Sequence, residues 1–423
     1  MGSTVTEKII AYKAKRNVVV PGEIVEVPID TAFIHDNNGP IALTQFAKLP
    51  NVTVWAPEKV FFVLDHHSPA TTFRAAQHHR NIRDFAQQYG CNLIEVGRGV
   101  SHAVLAEERI PRPGRIIVGT DSHTVGLGAF GCLATGIGST EMAAVLVRGS
   151  IWMKVPETVK VVLEGNLPFG VCAKDVSLLI LKHFGPSFLN YMAVEFEGSL
   201  LQKLSIEERM AITIMGLEMG VKNALMPVDD RLIEKLQSTW DSEEIFNADP
   251  DASYISTIRF DVSDLEPMVA TPSLPTNGTN IRNVEGTEIH QATLGSCSGA
   301  FYHDLEQAAR VLRGRKVHQG VRLIIVPNTS QVMRKANDTG VLQTLLDAGA
   351  IISSPSCGTC AGYEVGCLAP GEVCISTTTR NMDGRMGAGG KIYLASALTV
   401  AASAIAGFID DPRKYLGGEV DER

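Results

Sequence analysis

Ser353-Ser354-Pro355-Ser356-Cys357-Gly358-Thr359-Cys360-Ala361-Gly362 follows an apolar run, residues 348–352, that reads as a buried strand. Two thiols three positions apart on a glycine-containing turn can converge on one metal centre. A third candidate lies 60 positions earlier in a similar setting, Leu294-Gly295-Ser296-Cys297-Ser298-Gly299, just before a helix-like run. Taken alone, Cys357-x-x-Cys360 fits a redox pair, half of a zinc site or part of an iron–sulfur site. A thioredoxin-like pair should precede a helix near the start of a compact domain, whereas this one follows many strands. A structural zinc site normally offers a second close pair, and Cys297 stands alone. Three thiolates, not four, are what a cluster needs if one iron is to stay open for substrate.

Working outward from this loop, the strand-to-polar-turn pattern recurs. Residues 60–64 lead to Asp65-His66-His67-Ser68-Pro69, 92–96 to a turn reaching Ser101-His102, and 115–120 to Asp121-Ser122-His123-Thr124. Further on, 291–294 lead to Cys297, 322–326 to Pro327-Asn328-Thr329, and 373–376 to Thr379-Arg380. Helices are predicted over 71–89, 175–183 and 206–221, the last carrying Glu218 within an apolar stretch. Strands alternating with helices imply parallel βαβ units. In such sheets the carboxyl ends of the strands share one edge, where ligands bind. One shared pocket therefore explains the polar residues past the strands. Elsewhere, 25–30 reads as a strand, 34–40 as a polar turn, 392–409 as a buried helix packing through small residues, and 237–273 as a polar domain edge.

A chain of 423 residues exceeds one ordinary core. The expected division is a first α/β unit over 1–155, a second with its connection over 156–284, and a third carrying the cysteines over 285–423. Hydrophobic residues at 45%, aromatics at 6% and 39 glycines suit an α/β enzyme with many tight turns. The formal net charge is −8 and no polybasic run occurs, which argues against nucleic acid or an anionic membrane as main partner. Thr4 and Glu7 have capping-box spacing, so the N-terminus is expected to open a short helix rather than a signal peptide, and the protein is expected to be cytoplasmic. Eight cysteines are too sparse for a secreted disulfide scaffold. Cys91, Cys132, Cys172 and Cys374 read as small buried hydrophobes, and Cys367, seven residues past Cys360, as structural, with a spare ligand as the alternative.

Asp65-His66 and Asp121-Ser122-His123 set carboxylates beside imidazoles at strand ends, with His102 on a third such loop. A neighbouring carboxylate fixes the tautomer and raises the basicity of a histidine, as general acid/base work requires. Glu218 is costly to bury unpaired, and His123 is its expected partner. Arg380 and Arg385 frame Asn381-Met382-Asp383-Gly384, and two guanidinium groups on one loop can bind carboxylates bidentately; a plain surface loop is the alternative.

The chain resembles the large subunit of the aconitase and isopropylmalate dehydratase family over most of its length. Carrying the resemblance are Leu64-Asp65-His66, Gly119-Thr120-Asp121-Ser122-His123-Thr124, Gly295-Ser296-Cys297, Cys357-Gly358-Thr359-Cys360 and Arg380-Asn381-Met382-Asp383-Gly384-Arg385. It implies three-layer α/β/α units with mainly parallel sheets and a cluster at the domain interface. It further implies that Cys297, Cys357 and Cys360 hold one 4Fe–4S cluster whose fourth iron is open to substrate. Asp65, His66, His102, Asp121, His123 and Glu218 would then be catalytic, while Ser122, Arg380 and Arg385 would bind a hydroxy diacid. The base for the carbon-bound proton is expected on a serine of a swivelling domain, supplied by a separate small subunit. The implied reaction is a hydro-lyase interconversion of branched 2-hydroxy and 3-hydroxy diacids. Isopropylmalate leads as substrate, with homoaconitate and dimethylmalate as alternatives; a non-catalytic paralogue keeping a cluster or zinc is the other class. Three positions depart from the family pattern, where Ile214, Gly299 and Thr379 replace asparagines. These changes predict a less polar or differently hydrogen-bonded pocket, to be tested by restoring asparagine at 299 and 379.

Overall fold

The computed structural model describes residues 2–236, 245–362 and 365–417. Helix Val5–Lys13 begins at the expected capping box, in which Thr4 Oγ1 accepts from the Glu7 amide at 3.2 Å and the Glu7 carboxylate accepts from the Thr4 amide at 3.1 Å. Strands Thr31–His35 and Ile116–Gly119 are buried along their whole length, as parallel strands covered on both faces must be. They form the centre of a five-stranded sheet in the order Asn92–Ile94, Val60–Val63, Thr31–His35, Ile116–Gly119, Leu133–Gly136, all parallel.

A second parallel sheet runs Asn223–Leu225, Ala193–Glu197, Thr158–Glu164, Ser256–Asp261. The third has seven strands: Gly278–Asn280, Met268–Ala270, Lys391–Ala395, Val373–Ser376, Gln291–Leu294, Arg322–Ile325 and Ile351–Ile352. Its first two joints are antiparallel and the rest parallel. One apolar cluster takes in Phe33 and Ile117 of the first sheet, Val161 and Phe196 of the second, and Cys374 and Leu394 of the third. This shared core is what brings separate strand ends to one place. Among the described residues no helix is long and apolar enough to cross a membrane.

Several elements differ from their sequence reading. The 348–352 run is not one buried strand. Ala348 ends helix Val341–Ala348, Gly349 caps it at φ 102°, and only Ile351–Ile352 pairs, as an edge strand with Ile351 54% exposed. The 392–409 run is likewise divided: Lys391–Ala395 is a strand, and Ser396 then caps helix Ala397–Ala406 by accepting from the Thr399 amide. The 206–221 helix stops as α-helix at Met215 and tightens into a 3-10 turn, Gly216–Met219, which carries Glu218. The 34–40 turn begins inside a central strand that continues to His35. Ile24–Pro28 pairs antiparallel with Ser150–Lys154 outside the main sheets. Within the polar 237–273 stretch, residues 237–244 lie outside the described residues, while Ser256–Asp261 and Met268–Ala270 join two different sheets.

Candidate active site

The strand Val60–Val63 delivers Asp65 and His66, and Asp36, at the end of the neighbouring strand, fixes their backbone. The Asp36 carboxylate accepts from the amides of His66 at 2.8 Å and His67 at 2.9 Å and from His79 Nε2 at 2.8 Å. Burial pushes the Asp36 carboxyl up, but His79 and these amide bonds outweigh it and hold it below the usual range. Asp65 is buried and divided: Oδ1 lies 2.8 Å from His66 Nδ1, and Oδ2 accepts from the Ser101 amide at 2.7 Å. Its carbonyl accepts from the Cys357 amide at 2.8 Å, joining the first sheet to the cysteine loop.

Asp121 caps the 3-10 run Ser122–Phe130 by accepting from the His123 amide at 2.7 Å. Its Oδ2 sits 3.2 Å from His66 Nε2, while Oδ1 is 3.6 Å from His102 Nε2 and 3.5 Å from His123 Nδ1. Both His66 nitrogens thus face carboxylates. Burial works against the charged ring, yet Asp65 and Asp121 raise its pKa well above the ordinary histidine value. His102 is the opposite case. It is buried edge-on against Phe33, neither ring nitrogen has a hydrogen-bond partner, and burial pulls its pKa to about 4.

His123 meets its expected partner: Nε2 is 3.0 Å from Glu218 Oε1. The same oxygen accepts from Arg380 Nε at 2.8 Å, and Arg380 Nη2 donates to Ser122 Oγ at 3.1 Å. Arg385 turns to the thiols, donating to the Cys360 carbonyl at 3.0 Å and lying 3.6 Å from Cys360 Sγ. Cys357 and Cys360 are close enough to share a proton, which lowers the Cys360 pKa and raises that of Cys357; burial raises that of Cys297. Gly358, between the pair, takes φ 64°, and a Cβ there would meet the Val326 side chain at 2.8 Å, so the loop admits only glycine. A cavity of about 190 Å³ is lined by His35, His66, Asp121, Ser122, Cys357, Arg380 and Arg385.

Sequence reasoning missed His35 and Asp36, although a His-Asp pair past a strand repeats the Asp65-His66 signal. His35 stacks on His66 with ring centroids 4.2 Å apart, and its Nε2 lies 3.1 Å from the Thr120 carbonyl. Lys174 was missed as well. Of the other thiols, Cys132, Cys172 and Cys374 are buried, Cys91 is half-buried and Cys367 is exposed. The three departures are buried: Ile214 packs against Gly126, and Thr379 Oγ1 is 3.9 Å from Cys360 Sγ. At Gly299 a Cβ would lie 2.3 Å from Thr377 Oγ1, so asparagine cannot be restored there alone.

These contacts define a class: a parallel α/β protein whose strand ends gather soft thiols, carboxylate–imidazole pairs and two arginines at one polar cavity. The family model for the aconitase family (aconitate hydratase) matches residues 7–407, and the chain belongs to that family. It is 43% identical over 419 residues to 3-isopropylmalate dehydratase large subunit 1 of Methanopyrus kandleri, covering 98% of this chain and 100% of that protein. It is 40% identical to the 3-isopropylmalate dehydratase large subunit of Moorella thermoacetica, covering 98% and 100%. To a protein of Methanothermobacter thermautotrophicus named "Probable methanogen homoaconitase large subunit" it is 41% identical, covering 97% and 98%.

Proposed function

We propose that this chain is the large subunit of a cytoplasmic hydro-lyase that interconverts branched 2-hydroxy and 3-hydroxy diacids, with 3-isopropylmalate as substrate. Supporting the substrate are the dehydratase relatives matched end to end. Supporting the chemistry, and carrying the reading, is the single cavity in which His66 and Asp121 face Ser122, Arg380 and Arg385 beside the Cys357 loop.

Cys297, Cys357 and Cys360 fit a 4Fe–4S cluster: they are unpaired thiols, Cys297 and Cys360 are buried, and soft thiolates suit iron–sulfur ligation. When bound, the cluster supplies a Lewis acid for the substrate hydroxyl and a carboxylate. Arg380 and Arg385 hold the carboxylates, and Glu218 orients Arg380; against burial, Asp121 and Glu218 raise the pKa of His123. His66, charged between Asp65 and Asp121, gives its proton to the departing hydroxyl, which leaves as water. His102, kept neutral by burial, lies behind Asp121 with its Nε2 3.6 Å from Oδ1 and adds no charge to the site. The carbon-bound proton goes to a serine of the small subunit, a partner implied by the "large subunit" names of the relatives.

The test is dehydration of 3-isopropylmalate and 2,3-dimethylmalate, and hydration of the alkene homoaconitate, by the reconstituted large subunit with its small subunit. Fastest turnover of 3-isopropylmalate supports the reading; turnover of none of these three acids contradicts it. The homoaconitase-named relative favours a second reading, homoaconitase, which preferential turnover of homoaconitate would establish, whereas the three lost carboxamides favour a non-catalytic paralogue. Zinc in place of iron would point to a non-catalytic paralogue.

A further inference from the structure

Lys174 is a lysine only 5% exposed, in the first turn of helix Ala173–Phe184. Its Nζ donates to Ser298 Oγ at 2.9 Å, the Thr378 carbonyl at 3.0 Å and the Thr377 carbonyl at 3.1 Å, and lies 3.4 Å from Met215 Sδ. Three oxygen acceptors use the three N–H bonds of an ammonium. All three are neutral, and no carboxylate lies within ion-pairing distance among the described residues. Burying a cation this way costs several kcal/mol by itself, on the order expected for an unpaired charge.

What the ammonium touches accounts for that cost. Ser298 follows Cys297, Thr377 and Thr378 precede Arg380, and Met215 ends the helix before Glu218. Ser298 Oγ also donates to the Thr377 carbonyl at 3.1 Å, and Thr377 Oγ1 accepts from the Gly295 amide at 2.9 Å, so the two loops are tied on both sides of the lysine. The three departures from the family pattern surround the same point: Ile214 adjoins Met215, Gly299 adjoins Ser298, and Thr379 adjoins Thr378.

We propose that Lys174 is a positioning residue of this site, its buried ammonium clamping the Cys297 loop to the loop of Arg380 and placing one positive charge behind the thiolates. The inference rests on the proposed function for its meaning, but its first test does not need a cluster. In the apo protein, K174M and S298A should each raise the alkylation rate of Cys297 by about tenfold or more relative to buried Cys132, because local opening sets the exposure of a buried thiol. Unchanged Cys297 protection in both folded variants overturns the clamp, whether or not the wild type binds iron. Wild-type protein that takes up no cluster overturns the functional reading alone.

In the reconstituted protein, K174M should lose iron to a chelator faster than wild type and should shift the reduction potential in the negative direction. S298A keeps the cation, so it should lose iron faster at an unchanged potential. Equal shifts in both variants, or none in K174M, overturn the charge role. If K174M does not fold, S298A still decides the clamp.

Discussion

Asp121 serves three imidazoles at once, and the consequences differ ring by ring. His66 gains two carboxylates and is held charged, His123 shares Glu218 with Arg380, and His102 receives no hydrogen bond and stays neutral. Glu218 is the joint between acid/base and anion-binding groups. E218Q is therefore expected to lower kcat by about 10²–10³-fold and to raise KM, with little change in fold. Steady-state kinetics with far-UV circular dichroism checks this.

A second residue-scale expectation concerns His303, whose Nε2 lies 3.2 Å from Asp304 Oδ1. Burial opposes its charge, but Asp304, Glu208 and Glu207 raise its pKa to about 9. The folded value exceeds the unfolded one, so the stabilisation is complete below about pH 6.5 and is lost as pH rises through about 9. The difference in Tm between wild type and H303Q should correspond to about 1–3 kcal/mol at pH 6 and shrink toward pH 9.5. A constant difference would contradict the assignment.

At this scale the sequence was most readable where two chemical types adjoin, as in Asp65-His66 and Asp121-Ser122-His123. It was least readable where the partner is remote. Asp121 reaches His66 across the sheet, and Lys174 looks like any lysine in a first helical turn until its burial is known.

Elements tell a related story. The alternation of apolar strands and polar turns was legible because parallel strands buried on both faces leave continuous apolar runs. The runs at 348–352 and 392–409 were misread because local caps divide them. Gly349 closes a helix just before the short edge strand, and Ser396 starts one just after a strand. Composition alone does not reveal such punctuation inside an apolar stretch.

The cysteine-bearing loops yield two element-scale expectations. C360S removes one thiolate from a loop whose fold rests on Gly358 and the Asp65–Cys357 backbone bond, so it should lose iron while keeping its circular dichroism spectrum. G299N should cost about 1–3 kcal/mol, read as a lower Tm, because its side chain needs the space of Thr377. Because the Thr377 Cβ itself lies 2.4 Å from the Cβ position at 299, T377A would leave the clash in place, and only T377G should recover part of the loss. The specificity comparison that restores the family pattern at 299 and 379 therefore has to carry T377G as well.

On the scale of the whole molecule, three sheets share one apolar core, and loops from two of them meet around a single cavity. The Cys357 amide bonded to the Asp65 carbonyl is one seam between first and third sheets, the Val100 amide bonded to the Asn328 carbonyl is another, and Arg380 bonded to both Ser122 and Glu218 closes the ring from the other side. On the proposed function, this large subunit would prepare the substrate's hydroxyl and carboxylates and take the base from its partner. The isolated chain should hold its cluster yet turn over slowly, and titration with small subunit should restore kcat to a plateau.

The most direct measurement is iron and acid-labile sulfide on anaerobically reconstituted protein, taken with its visible spectrum. About four irons and four sulfides per chain with a brown chromophore are expected. Absence of iron and sulfide after reconstitution, or zinc in their place, would contradict the account.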